Sequence, residues 1–146
     1  MVSLEGMAGF DVVRGIDIER ALRSTPRQYL VGELARPQEL GNATVGATEI
    51  GIVDYAEVAV EPPHFHPENG EFVYVLAGRI LMRDLVTDQV HRLGPGDFLA
   101  MAPGHPHAQK SAAGTRLLFV KSPGGNDKTL LPLTPELEAW QRDAEV

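Results

Sequence analysis

Between Val45 and Val60 apolar residues are set off by polar or small ones, at Ile50, Ile52, Val53, Tyr55, Val58 and Val60. A period of two places alternate side chains on opposite faces, so the segment predicts half-buried β-strand. Similar runs follow at a spacing of roughly ten residues: Phe72–Leu76, Ile80–Val86, Gln89–Leu93, Phe98–Ala102, His107–Ser111 and Arg116–Val120. Gln28 to Leu34 precedes them as a first strand, with Tyr29, Val31 and Glu33 on one face. Turn residues separate the runs: Ala77-Gly78, Thr87-Asp88, Gly94-Pro95-Gly96-Asp97, Pro103-Gly104 and Ala113-Gly114. Many short, evenly spaced strands predict an all-β sandwich or barrel.

The two ends depart from this rhythm. Residues 1–10 have no period and predict a frayed arm. Asp17 to Leu22 reads as a short helix that stops at Ser24-Thr25-Pro26. After a polar loop over Ser122–Asp127 and the apolar stretch Leu130–Leu133, Thr134 and Pro135 open a C-terminal helix as N-cap and first residue. Acids fill its first turn, and Trp140 is its expected anchor on the sheet. The reading is one domain over residues 1–146: an N-terminal arm to residue 25, a β-barrel over 26–121 and a C-terminal loop and helix over 122–146.

A chain of 146 residues suits one domain with a core of its own. Thirteen basic residues against twenty acidic ones leave a net charge of −7, with no run of Lys or Arg. That argues against a nucleic-acid or anionic-membrane surface. Cysteine is absent, so any bound metal must be held by nitrogen and oxygen. The first ten residues lack the pattern of a signal peptide, and no apolar segment approaches the ~20 residues of a membrane span. The expectation is a cytoplasmic protein with a small-molecule substrate.

The candidate chemistry sits in Pro63-His64-Phe65-His66-Pro67-Glu68-Asn69-Gly70-Glu71. On a strand, His64 and His66 share a face, ~7 Å apart at the Cα level. The Pro/Asn/Gly turn then reverses the chain and returns Glu71 opposite them, in the manner of a hairpin. Two imidazoles and a carboxylate are the ingredients of a divalent-metal site. Pro103-Gly104-His105-Pro106-His107 supplies further imidazoles. Counted from His107, Gln109 faces inward and is a candidate hydrogen-bonding neighbour of the ligands. Val73 and Val75 share the face of Glu71, and with Met82 and Met101 they are candidate pocket walls, favouring a largely apolar ligand. Phe72 and Tyr74 point outward, and His91 is expected to be exposed.

His64-x-His66-x4-Glu71-x6-Gly78 resembles the first motif of the cupin superfamily, and Gly96-x7-Gly104-x2-His107 resembles the second. The chain departs from the family at Val58, Ala102 and Ser111, where a glycine, a proline and an asparagine are usual. The resemblance implies a jelly-roll β-barrel binding one divalent metal ion (Fe, Zn, Mn, Ni or Co) through His64, His66, Glu71 and His107. His105 either replaces Glu71 in a four-histidine site or serves at the barrel mouth as a proton shuttle. Glu71 and His105 are therefore the candidate catalytic residues. The family's habits imply a homodimer, with Phe72, Tyr74 and the N-terminal strand as contacts, since a small sandwich leaves sheet edges to cover.

Four protein ligands leave open positions on a five- or six-coordinate metal, which points to catalysis rather than to a closed structural site. The expectation is a metal-dependent enzyme acting on a small carbonyl- or enol-bearing molecule, with an Fe(II)-type dioxygenase slightly preferred. Redox-neutral cyclase or isomerase chemistry stands beside it, as does a non-catalytic metal-dependent binding module.

Overall fold

The computed structural model describes residues 9, 11–34, 36–44 and 47–146. The arm expected over residues 1–10 lies almost wholly outside the described residues, as does Val45. The described chain begins with helix α1 (Gly15–Ser24) and strands β1 (Arg27–Val31), β2 (Glu49–Tyr55), β3 (Ala59–Phe65) and β4 (Gly70–Ala77). Then come β5 (Ile80–Asp84), β6 (Val90–Leu93), β7 (Phe98–Met101), β8 (His107–Ser111), β9 (Thr115–Ser122), β10 (Thr129–Leu130) and helix α2 (Pro135–Asp143). The expected strands are present, and the long segment from Val45 breaks into β2 and β3 around Ala56–Val58.

The strands form two five-stranded antiparallel sheets, ordered β1-β2-β9-β4-β7 and β10-β3-β8-β5-β6. This is a jelly-roll sandwich. One expectation is corrected here. The turn at Pro67–Gly70 does not close a hairpin, because β3 and β4 belong to opposite sheets. Glu71 consequently faces the histidines across the sandwich instead of beside them. The turn at Gly78 likewise carries the chain from one sheet to the other, joining β4 to β5.

Inward-facing Val53, Val73, Val75, Ile80, Met82, Met101, Leu117 and Phe119 make one apolar cluster, with Tyr29, Tyr55, Leu93 and Leu99 packed against it. Strands β5 and β8 are buried on both faces. Their inner face looks into the barrel, and their outer face is covered by α2. Lys110 Nζ reaches the carbonyls of Arg142 (3.2 Å) and Ala144 (2.7 Å), where a cation suits the exposed carbonyls and dipole of a helix C-terminus. Gln141 Nε2 donates to the Glu61 carbonyl at 2.6 Å. Thr134 caps α2 as the sequence predicts, accepting from the Leu137 N–H at 3.2 Å. Trp140 is only half-buried, with the Arg83 guanidinium 5.5 Å from its ring centroid. Leu137 and Gln141 are the buried residues of this helix, so the anchor is more polar than expected.

In the other sheet, α1 covers β1 through Ala21, Leu22 and the fully buried Gln28, whose amide donates to the Ala21 carbonyl. Farther along, the outer face of β4 and β7 is open, and Tyr74, Leu76 and Phe98 are exposed there. Phe72 and Phe98 stack on it with centroids 6.3 Å apart.

Gly78 holds the crossing between the sheets with φ of 78°, and a Cβ there would lie 2.5 Å from the Thr115 Cα. Left-handed backbone and a backbone clash together set the cost of Gly78→Ala at roughly 2–4 kcal/mol. Thermal denaturation should show Tm falling by ~5–15 °C.

Candidate functional site

His64 and His107 are register partners on β3 and β8, and His66 follows just beyond the end of β3. Antiparallel partners present side chains on the same face, and the ring centroids of His64 and His107 lie 4.4 Å apart. His66 is 5.1 Å from His64 and 6.3 Å from His107 by the same measure. All three are buried, with exposures of 1%, 5% and 4% for His64, His66 and His107. From the opposite sheet Glu71 brings Oε2 to 3.4 Å from His66 Nε2. The four residues expected as ligands are thus gathered at one end of the barrel.

Each imidazole is fixed through its other nitrogen. His64 Nδ1 donates to the Pro62 carbonyl (2.7 Å), His107 Nδ1 to the His105 carbonyl (3.0 Å) and His66 Nδ1 to Asp127 Oδ1 (2.7 Å). A carbonyl or carboxylate only accepts, so each Nδ1 carries a proton. Burial, aided by the neighbouring His107 ring and by Lys128, holds His64 down at about 4 against the upward pull of the Pro62 carbonyl and Glu61. Burial lowers His107 as well, against the pull of the His105 carbonyl and Glu71. At neutral pH these two rings are uncharged, and their Nε2 atoms carry lone pairs.

The Nε2 atoms of His64 and His66 point to carboxylates. His66 Nε2 looks at Glu71 Oε2, and His64 Nε2 lies 3.7 Å from Glu61 Oε2. Imidazole nitrogens turned toward carboxylate oxygens form a donor set that a cation would complete, and its nitrogen and oxygen chemistry fits a divalent transition metal. Among the described residues no three such side chains stand at the mutual distances of a finished coordination shell. What the fold supplies is the donor set and its orientation.

Two carboxylates were not foreseen. Asp127 comes from the loop after β9, 61 residues beyond the ring that it holds, and no local pattern marks it. Its other oxygen accepts the backbone N–H groups of Glu68 and Asn69, so it fastens both the ring and the turn. Burial would raise its pKa, but these donors and His66 outweigh it and keep Asp127 ionised. Glu61 was hidden by parity. Three residues before His64, it belongs on the opposite face of a regular strand. An irregularity between Glu61 and His64 re-aims it inward, at Pro62-Pro63, where neither residue has an N–H for the ladder. Burial favours a neutral Glu61, but Lys128, Arg27 and His64 together prevail and hold its pKa below the ordinary value.

Other expected site residues fall elsewhere. His105 Nε2 lies 2.9 Å from Asp84 Oδ1 on a partly exposed rim, so the structure does not bring it into the histidine cluster. Asp84 is held down at about 2, chiefly by the Val86 N–H and also by the Thr87 N–H and His105, against the opposing effect of burial. Gln109 is buried as expected, but its amide donates to Ser111 Oγ at 2.9 Å and not to a histidine ligand. His91 is half-buried on β6, opposite Met82, rather than exposed.

Among the expected pocket walls, Val73 lines the cavity beside Glu71, whereas Val75, Met82 and Met101 belong to the core cluster. That cavity, of ≈ 20 Å³, is also bordered by Arg27, Tyr55, Glu61, Gln109 and Lys121. Val53, Leu117 and Phe119 complete it, so charged and apolar groups share walls that the sequence suggested would be apolar. The reason is parity again: Arg27 and Lys121 fall on the inward faces of β1 and β9.

Neutralising or removing Asp127 frees the His66 ring to turn. In Asp127→Asn the affinity for zinc should fall by ~10–100-fold, read by competition with a chromogenic chelator, with the far-UV spectrum unchanged.

The comparisons with known proteins agree with this fold. Residues 51–121 match the family model for the cupin domain. A comparison with curated protein sequences returns no match. Among solved structures the chain is similar to KdgF from Halomonas sp., with a TM-score of 0.54 and 19% identity over 69% of this chain and 80% of that one. It is similar to the polyketide cyclase RemF from Streptomyces resistomycificus, with a TM-score of 0.53 and 19% identity over 66% and 69%. It also resembles the DMSP lyase DddQ from Ruegeria pomeroyi, with a TM-score of 0.55 and 25% identity over 75% of this chain and 52% of that one. Residues 51–121, which carry both motifs, therefore form a cupin domain, set within a jelly-roll fold shared with those structures.

Proposed function

We propose that the chain is a metal-dependent cupin enzyme carrying out redox-neutral proton-transfer chemistry on a small carbonyl-bearing molecule. The observation that carries this reading is the cluster of three imidazoles, each pinned through Nδ1, with Glu71 3.4 Å from His66 Nε2 and Glu61 3.7 Å from His64 Nε2, beside a small cavity that both carboxylates line. His64, His66, His107 and Glu71 would hold one divalent ion. Such an ion, when bound, supplies Lewis acidity that polarises a carbonyl.

The chain's own residues supply the rest. Glu61 is kept ionised beside His64 and is placed to take a proton at Oε2. Burial first, and Glu61 second, push the Tyr55 phenol up, so Tyr55 keeps its proton at neutral pH and can donate it from Oη. A carboxylate base and a protonated phenol lining one cavity form an acid–base pair. That pairing favours lyase, cyclase or isomerase chemistry over the Fe(II)-type oxygenation slightly preferred from the sequence. The likeness to a lyase, DddQ, is compatible with this reading.

The test is proton exchange. Small oxo acids incubated in D₂O with the zinc-loaded protein should exchange hydrogen next to the carbonyl without oxygen, followed by proton NMR. Exchange should drop by ~10²–10⁴-fold in Glu61→Gln. Oxygen uptake after loading with Fe(II) would favour the dioxygenase, and metal binding with neither activity would favour a binding module.

Elemental analysis tests the ligands separately. His66→Ala and His107→Ala should each lose bound metal and keep their β-sheet signal. Retention of metal in both would overturn the centre. Unchanged metal content in Glu71→Gln would remove that residue from it.

The homodimer also stands as a proposal. The outer face of β4 and β7, with Tyr74, Leu76 and Phe98 exposed, is the surface that supports it. Phe98→Lys should shift sedimentation from dimer toward monomer.

A further inference from the structure

Lys121 is 8% exposed and lies on the inward face of β9, bordering the cavity beside Glu71. Among the described residues its ammonium makes no ion pair or hydrogen bond, and it lies over the Phe119 ring, 5.8 Å from the centroid. Glu71 is its register partner, yet that carboxylate turns to His66. Glu61 is shared between Arg27 at 3.6 Å and Lys128 at 3.3 Å. The residue is largely buried, yet its ammonium is not among the sealed-off polar atoms, so an unpaired cation stands where solvent or a small anion can reach it.

The charges around it point to the sign of that ligand. Arg27, Lys121 and Lys128 are set against Glu61, Glu71 and Asp127, so a divalent cation at the proposed centre leaves this end of the barrel positive. The space is small. At ≈ 20 Å³ it has room for about one water-sized atom, so it would take a single oxygen of an anion, which a flat carboxylate presents more readily than a tetrahedral phosphate. Val73, Leu117 and Phe119 form its apolar walls, and Gln109 lies at its edge.

We infer that Lys121, with Arg27 beside it, forms a carboxylate subsite in the barrel interior, so that the substrate is a small carboxylic acid whose reacting carbonyl lies toward the histidines. The inference rests on the proposed function for its reacting end. The subsite's own binding, however, can be read with or without metal. Lys121 binds and orients the anion and takes no part in moving protons.

The experiment is calorimetric titration of formate and acetate into the wild-type chain and Lys121→Met, each metal-free and zinc-loaded, with acetamide and inorganic phosphate as controls. Acetate should bind at least tenfold more weakly to Lys121→Met in both metal states, while acetamide does not distinguish the two proteins. Equal acetate binding in both proteins would overturn the subsite, even if zinc still binds. Phosphate binding more tightly than acetate would overturn the carboxylate class. If zinc does not bind at all but acetate still depends on Lys121, the subsite stands and the metal centre falls. Thermal denaturation supplies an independent reading. Removing an unpaired buried charge should hold or raise Tm in Lys121→Met, whereas a fall of more than ~5 °C would make Lys121 a structural element and sink the inference.

Discussion

Three hydrogen bonds govern the candidate centre. They run from the Nδ1 atoms of His64, His66 and His107 to Pro62, Asp127 and His105. Each places a proton on Nδ1 and turns Nε2 the other way, and in the neutral rings of His64 and His107 that leaves the lone pair on Nε2. Two of the acceptors are backbone carbonyls two residues before the ring, so the strands that carry His64 and His107 also orient them. The third is a side chain from a distant loop, and His66 depends on that loop being in place. Unpinned rings could rotate or exchange tautomers, and the donor set would lose its direction.

The surrounding fold makes these bonds possible by splitting the barrel interior in two. Around Val75, Ile80 and Leu117 the interior is apolar and tightly filled, and this part holds the sheets together. At the other end the same strands turn His64, His107, Glu71, Glu61 and Lys121 inward. Burial keeps His64 and His107 neutral, while the cations around Glu61 keep that carboxylate charged. A set of groups held in different protonation states within one small space is the arrangement that proton-transfer catalysis requires. Helix α2 closes the outer face of the sheet bearing the histidines through Lys110 and Gln141, and the Gln141 bond falls on the backbone of Glu61 itself.

Much of this was legible in the chain's pattern. Period-two alternation and turn residues located the strands from β4 to β9, and Thr134-Pro135 located the start of α2. The spacing of His64, His66, Glu71 and His107 picked out four side chains that the fold brings together. These features are readable because they are local: parity, turn chemistry and short motif spacing act within a few residues of one another.

The remainder depended on tertiary structure, for reasons that differ from residue to residue. The irregularity at Pro62-Pro63 shifted Glu61 to the inner face, which parity alone denied. Asp127 reaches His66 only because β10 pairs with β3 and draws the loop before it over the site. His105 shares the parity of His107, but Asp84 claims it at the rim. That β3 and β4 face each other across the sandwich instead of forming a hairpin follows from their partners, β10 and β8 for one and β7 and β9 for the other. Alternation names the face a residue takes on its own strand. Which side chains meet on that face is decided by pairing between strands far apart in the chain.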